Sequence, residues 1–109
     1  MFVSIIVSVL NRESDINKLI DCILMQSYKD FELIVVDNGS DDNTLNLVSQ
    51  YKSEKIKVVD ASYAKGSPYS ARNLGIKAST GDVIAFIDGY ADVSWLASGL
   101  DVMCQSNLD

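Results

Sequence analysis

Gly81-Asp-Val-Ile-Ala-Phe-Ile-Asp88-Gly-Tyr-Ala-Asp92 is an apolar segment that ends abruptly in two carboxylates. A short apolar run bounded by glycine and acidic residues is typical of a buried strand, here predicted over residues 83–87. In an open α/β sheet, ligands bind outside the carboxyl ends of parallel strands. The end of this strand is therefore a candidate ligand contact.

Two earlier segments repeat the same design. Val3–Val9 is mainly apolar and is followed by Leu10 and Asn11, and residues 33–36 are apolar and are followed by Asp37. Because the carboxyl ends of parallel strands meet at one edge of a sheet, we expect Asn11, Asp37 and Asp88 to converge there.

Size and charge limit the classes of protein to consider. The chain has 109 residues and 48% apolar content, enough for the core of one domain spanning residues 1–109. Its 15 acidic and 9 basic residues give a net charge of -6, which opposes nonspecific attraction to nucleic acid or anionic lipid. A nucleic-acid partner is not expected.

The cysteines and the first ten residues bear on the expected cellular location. Cys22 and Cys104 form no Cys-x-x-Cys pair and the chain has no histidine, so no zinc site is expected. Met1 to Leu10 lacks the features of a signal peptide, and no apolar run is long enough for a transmembrane segment. We expect a cytoplasmic location.

Periodicity predicts the remaining elements. Apolar residues at helical spacing follow the first strand, with Ser14 or Asp15 available as the N-cap. The further predictions are a strand over 31–36, a helix over 41–51 with Leu45, Val48 and Tyr51 facing inward, a strand over 56–59, a loop over 60–70, and helices over 71–78 and 94–105.

Alternation of strands and helices predicts an α/β fold with a mainly parallel sheet of about four strands and helices on both faces. Right-handed crossovers limit its topology. We expect the first strand in the centre, the second and third on one side, and the fourth on the other. The reversal of strand addition then lies between Asn11 and Asp88.

Four ordered motifs support a family resemblance. They are Val3-Ser-Ile-Ile-Val-Ser-Val-Leu-Asn11-Arg-Glu, Gln26-Ser-Tyr-Lys-Asp-Phe-Glu-Leu-Ile-Val-Val-Asp37-Asn-Gly-Ser-Asp-Asp-Asn-Thr44, Ser70-Ala-Arg-Asn-Leu-Gly75 and Gly81-Asp-Val-Ile-Ala-Phe-Ile-Asp88. In this order they resemble the inverting nucleotide-sugar glycosyltransferases of family 2. The resemblance implies the Rossmann-like nucleotide-binding half of a GT-A fold and a UDP- or dTDP-sugar donor.

The resemblance implies roles for the first two motifs. Ser8 to Asn11 form a wall around the base, and Glu13 accepts a hydrogen bond on the donor side. Asp37 and Asn38 contact the base, where an acceptor suits the N3-H of uracil or thymine. The alternative is that residues 37–40 only turn the chain and cap the next helix.

The third motif implies Arg72 and Asn73 beside the donor, where a guanidinium neutralises phosphate. The alternative for Arg72 is to bond backbone carbonyls or Asp82 and fix the preceding loop. Gly66 either lets that loop approach a phosphate or forms a plain turn.

The fourth motif departs from the family pattern. Relatives carry Asp-x-Asp, whose second carboxylate binds a divalent cation, whereas Tyr90 follows Asp88 here. A phenol is a poor ligand for Mg2+ or Mn2+, so metal binding would require Asp88 and Asp92 together. The alternative for Asp92 is to cap the helix near Ser94.

The resemblance covers the donor half of the family's catalytic domain. The general base and the acceptor-binding half have no matching residues, so full activity by this chain alone is not expected. A homodimer or a partner supplying the acceptor half is one expectation. The alternatives are a nucleotide-binding module without transferase chemistry and a structural or interaction protein.

Overall fold

The computed structural model describes residues 2–25 and 29–88. Strands and helices alternate in the order β1 (Val3–Val9), α1 (Ile16–Leu24), β2 (Phe31–Asp37), α2 (Thr44–Ser49), β3 (Ile56–Asp60), α3 (Pro68–Ala78) and β4 (Val83–Asp88), with a short 3-10 helix, Ser62–Ala64, before α3. No helix in these ranges combines the length and apolar content needed to cross a bilayer.

The strands form one parallel sheet in the order β3-β2-β1-β4. Sheet type, strand order and the position of the reversal agree with the prediction from sequence. The chirality of βαβ connections explains the arrangement, since it sends α1 and α2 to one face while the sheet grows towards β3, and α3 to the other as the chain returns to β4.

Alternation along the central strands supplies both faces with apolar side chains. The α1 and α2 face contains Val3, Ile5, Val7 and Val9 of β1, Phe31, Leu33 and Val35 of β2, Ile16, Leu19, Ile20 and Ile23 of α1, Val48 of α2 and Ile87 of β4. The opposite face is smaller, with Ile6, Ile34, Val36, Ala61 and Ala71. All seven residues of β2 are buried, as expected for a strand covered on both sides.

Helix α3 approaches the sheet closely through Gly75. A Cβ built on this residue would lie 2.6 Å from Ile6 Cγ2 and 3.2 Å from Val36 Cγ2. Glycine at this helical position therefore sets the distance between α3 and the two central strands.

The amino end of the sheet contains a buried carboxylate. Glu32 is 4% exposed, pairs with Lys57 at 2.7 Å, and accepts hydrogen bonds from the hydroxyls of Ser4 and Thr80 and from the Thr80 amide. The Ser4 hydroxyl oxygen in turn accepts from the Gly81 amide at 2.8 Å. Burial opposes ionisation of Glu32, but these donors outweigh it and lower its pKa to about 2.

Three helix boundaries differ from the sequence prediction, and one of them is the end of α2, which lies at Ser49 rather than at residue 51. α2 begins at Thr44 rather than at residue 41, because Asp41 and Asp42 serve as hydrogen-bond acceptors in the preceding loop. α3 begins at Pro68 rather than at residue 71. Ser67 caps it by accepting from the Ser70 amide, and proline is well suited to the first helical position.

Other local predictions also required correction. Asp15 precedes α1 but makes no capping hydrogen bond through its side chain, because Arg12 binds its carboxylate. On α2, Thr44 and Val48 are buried and Leu47 packs on the core, whereas Leu45 is only half-buried and lies outside the core cluster. Tyr51 also packs on the core but lies beyond the end of α2. The helix predicted over residues 94–105 lies outside the described residues.

Candidate functional site

The carboxyl ends of all four strands lie side by side. The register pairs Ser8 with Asp88, Val9 with Asp37, and Asp37 with Asp60. The edge where Asn11, Asp37 and Asp88 were expected to converge therefore forms one continuous row of strand ends. For Asp88 the structure describes the backbone.

Asp37 is the buried acceptor of this edge, with 3% of its surface exposed. Its Oδ1 accepts from the Ser40 hydroxyl at 2.5 Å, and its Oδ2 accepts from the Ser40 amide at 3.3 Å. This geometry is the chain-turning role considered from sequence. Because a carboxylate has about four acceptor positions, Asp37 retains capacity for a further donor.

Asn38 is also buried, at 4% exposure, and it holds the loop that follows β3. Its amide nitrogen donates to the carbonyls of Ala61 at 3.3 Å and Ala64 at 3.0 Å. The Gly66 amide donates back to the Asn38 carbonyl at 3.4 Å. Both amide hydrogens of Asn38 are thus used within the protein.

Asn11 connects the loop after β1 to the loop after β2. Its φ of 55° lies in the left-handed region, which asparagine tolerates better than most residues. Its amide donates to the Ser40 hydroxyl oxygen at 2.9 Å, and its Oδ1 accepts from the Asp41 amide at 2.7 Å. Asn11, Asp37 and Ser40 therefore belong to one hydrogen-bond network.

Glu13 extends this connection on the exposed side. Its amide donates to Asp42 at 3.2 Å, and its carboxylate accepts from the Asn43 amide at 3.3 Å. Asp42 also accepts from the amide and hydroxyl of Thr44. Glu13 thus lies against the start of α2.

The side chain of Arg12 is largely buried, with 11% of its surface exposed. Its guanidinium makes a two-point contact with Asp15, and its amide donates to Thr44 Oγ1 at 2.7 Å. Hydrogen bonds from Arg12 hold the pKa of Asp15 below its usual range. The pair fixes the chain between β1 and α1.

Arg72 and Asn73 lie exposed on α3. The Arg72 guanidinium carbon is 4.9 Å from the centroid of the Phe86 ring, a cation–π distance. Phe86 precedes Asp88 by two residues on β4, so Arg72 flanks the β4 end of the row. Ser8, half-buried at the end of β1, lies between the β2 and β4 ends.

The fit of a divalent cation depends on residues outside the described ranges. Among residues 2–25 and 29–88, no group of three or more His, Cys, Asp or Glu side chains is arranged to hold a metal ion. Tyr90 and Asp92 lie outside those ranges.

Three further residues of this edge were not among the site residues predicted from sequence. Ser40 connects Asp37 to Asn11, and its spacing in Asp37-x-x-Ser40 is a recognisable side-chain turn. Asp60 ends β3, where hydrogen bonds from Ser62 lower its pKa. Lys65 pairs with Asp41.

Solved structures share this fold. The S. aureus TarS fragment 1-349 in complex with UDP-GlcNAc matches 98% of this chain and 32% of that chain, with a TM-score of 0.75 and 28% identity. The mannosyltransferase PcManGT from Pyrobaculum calidifontis, in complex with GDP-Man and Mn2+, matches 93% of this chain and 32% of that chain, with a TM-score of 0.74. At 23% identity, PcManGT supports the fold alone.

Curated relatives match over most of this chain. The UDP-Glc:alpha-D-GlcNAc-diphosphoundecaprenol beta-1,3-glucosyltransferase WfgD of Escherichia coli is 39% identical over 92% of this chain. The glycosyltransferase AglE of Haloferax volcanii is 33% identical over 99% of it. This chain spans 38% and 37% of their respective lengths. The family model of glycosyl transferase family 2 matches residues 4–107, and the chain therefore belongs to that family.

Proposed function

We propose that the carboxyl edge of this sheet binds the nucleotide diphosphate of a UDP- or dTDP-sugar, as the donor half of a glycosyltransferase. The observation that carries the proposal is the row of strand ends from β3 to β4, with the loops after β1, β2 and β3 joined by hydrogen bonds. Family membership, the UDP-Glc donor named for WfgD and the UDP-GlcNAc bound to TarS support it.

Asp37 is proposed to accept a hydrogen bond from the pyrimidine N3-H. Its low exposure shields such a bond from water, and the Ser40 contacts fix the carboxylate before the ligand arrives. Asn38 contributes by holding residues 61–66 in place, because its amide hydrogens are committed to two carbonyls. Its Oδ1 and the loop backbone are the groups left to meet the base.

The remaining candidates divide between the two ends of the row. Ser8, Asn11 and Glu13 are proposed to border the base and ribose from the β1 side. Arg72 and Asn73 are proposed to face the diphosphate from α3, where the Phe86 ring supports the guanidinium. Packing of this kind lowers the entropy lost when arginine binds an anion.

We also propose that Asp88 and Asp92 bind a divalent cation. When bound, Mg2+ or Mn2+ would offset the charge of the leaving nucleotide diphosphate. We also propose that a homodimer or a partner supplies the acceptor-binding half, including the general base. We propose a cytoplasmic site of action.

Calorimetric titration with UDP, dTDP and GDP, with and without Mn2+, tests the function. We expect UDP or dTDP to bind more tightly than GDP. Asp37→Ala should lower affinity for the preferred nucleotide about tenfold or more, because a buried base donor loses its acceptor. Glu54→Gln, at the amino end of β3, is the matched control and should leave affinity unchanged.

Two outcomes would replace this function. Saturable nucleotide binding without sugar release under any acceptor, measured with a partner that supplies the acceptor-binding half, would indicate a binding module. Failure of the wild type to bind any of the three nucleotides would indicate a structural or interaction role for the fold.

A further inference from the structure

Lys65 lies in the loop that Asn38 holds against the site. The carbonyl of Ala64 accepts from the Asn38 amide group, and the amide of Gly66 donates to the Asn38 carbonyl. Lys65 therefore has a fixed backbone on both sides, one residue from direct contacts with the base-binding turn.

The side chain of Lys65 crosses Gly39. A Cβ built on Gly39 would lie 2.7 Å from Lys65 Cγ and 2.9 Å from Lys65 Cβ, so the lysine stem occupies the space that any other residue at position 39 would need. Gly39 also has a φ of 95°, which favours glycine. The stem is thus directed over the loop that follows β2.

The ammonium group of Lys65 ends on the carboxylate of Asp41. The Asp41 amide donates to Asn11 Oδ1, so the ammonium lies over the junction of the loops after β1, β2 and β3. The side chain of Lys65 is 47% exposed and that of Asp41 74% exposed. An ion pair this exposed contributes little stability, so its lysine can leave at small cost.

Positive charge is needed at this edge because a nucleotide diphosphate is strongly anionic, while Asp37, Asp41, Asp60 and Glu13 make the edge acidic. Arg72 flanks the β4 side, and the guanidinium of Arg12 makes its two-point contact with Asp15. Lys65 places a cation on the β2 side. Its flexible stem and compact ammonium suit an exchange of partners.

We infer that Lys65 is a second cationic contact for the diphosphate. Its ammonium group pairs with Asp41 in the free protein and moves to the phosphate oxygens when the nucleotide binds. This role presupposes the donor site proposed above. Asp41 then acts as a competitor of the ligand for one ammonium group, so removing its charge strengthens nucleotide binding.

The first test compares UDP with uridine by calorimetry. Lys65→Met keeps the stem over Gly39 and removes the charge, so UDP affinity should fall about tenfold while uridine affinity is unchanged. Lys77→Met, in the last turn of α3 and far from the carboxyl edge, is the control and should alter neither affinity. An unchanged ratio of UDP to uridine affinity in Lys65→Met would overturn the inference.

The second test uses Asp41→Asn, which leaves the backbone contact with Asn11 in place. UDP affinity should rise several-fold in this variant, and most of the gain should vanish in the Lys65→Met background. Equal gains in both backgrounds would mean that Asp41 acts only through its own charge, which contradicts partner exchange. A wild type that binds neither UDP nor uridine would refute the donor site itself, whereas unaltered binding in the variants would refute only the role of Lys65.

Discussion

The amide of Thr80 donates to Glu32 Oε2 at 2.7 Å across a separation of 48 residues in the chain. This contact joins the segment before β4 to the buried strand β2, and Lys57 of β3 pairs with the same carboxylate. With the Ser4 hydroxyl of β1, three strands and the segment before β4 therefore share one ionised group at the edge opposite the candidate site. We therefore expect the Glu32 carboxylate to contribute to stability and not to contact the ligand.

Glu32→Gln should lower the free energy of unfolding by about 2–4 kcal/mol, because a neutral amide offers only one acceptor oxygen to these donors and leaves Lys57 without its counter-charge. Urea denaturation followed by circular dichroism measures the loss. Glu54→Gln is the exposed control and should remain within about 0.5 kcal/mol of the wild type. Equal stability of the two variants would contradict the role given to Glu32.

The same carboxylate predicts the direction of acid sensitivity. Its pKa is about 2 in the folded protein, against an ordinary value of 4.5 for a glutamate carboxyl, so folding favours the ionised form. The stabilisation is complete above pH 4.5 and is lost as the pH falls from 4.5 through 2. Over this window, Glu32→Gln should show a shallower decline of unfolding free energy than the wild type. Parallel curves would refute the predicted linkage.

The direction in which Gly75→Ala changes stability tests the close approach of α3 to the sheet. In an exposed helix this change would add about 1 kcal/mol of stability through helix propensity. Here we expect a net loss of about 1–2 kcal/mol, because the new methyl would lie 2.6 Å from Ile6 Cγ2. Thermal unfolding measures the change.

A double-mutant cycle provides the control for that prediction. In the Ile6→Ala background the γ-methyl is absent, so the cost of Gly75→Ala should shrink or reverse. A stabilised Gly75→Ala single variant, or an equal cost in both backgrounds, would show that α3 does not depend on this close approach.

Ser40→Ala separates the arrangement of the site from direct ligand contact. The variant removes the hydroxyl that donates to Asp37 and accepts from the Asn11 amide, so stability should fall by about 1–2 kcal/mol. UDP affinity should fall less than in Asp37→Ala, because the carboxylate remains. Ser49→Ala, on the exposed side of α2, serves as the comparison. A larger loss of affinity in Ser40→Ala than in Asp37→Ala would assign the base contact to Ser40.

Strand order was predictable because parallel pairing and right-handed crossovers leave few topologies for four alternating strands. The start of α3 was not predictable, because Pro68 follows a glycine-containing stretch that is typical of a loop. The first helical position nevertheless tolerates proline. Residues 41–43 continue a helical pattern but lie in a loop, since tertiary contacts with Glu13 and Lys65 compete with helix formation.

The candidate site was likewise predictable from sequence only in part. Polar residues at strand ends predicted the edge proposed as the site, because their placement follows from the fold. The pairing of Lys65 with Asp41 depends on how two loops meet across Gly39, which no local pattern specifies. The Glu32 network was missed for a similar reason, since Lys57 and Thr80 are distant in sequence.

Amide chemical-shift mapping during a titration with UDP tests the central claim, that the carboxyl edge binds the nucleotide diphosphate, most directly. We predict saturable shifts at Asn11, Asn38, Ser40 and Gly66, with Thr80 at the amino edge unaffected. Shifts centred on the amino edge, with the carboxyl-edge amides unchanged, would contradict that claim.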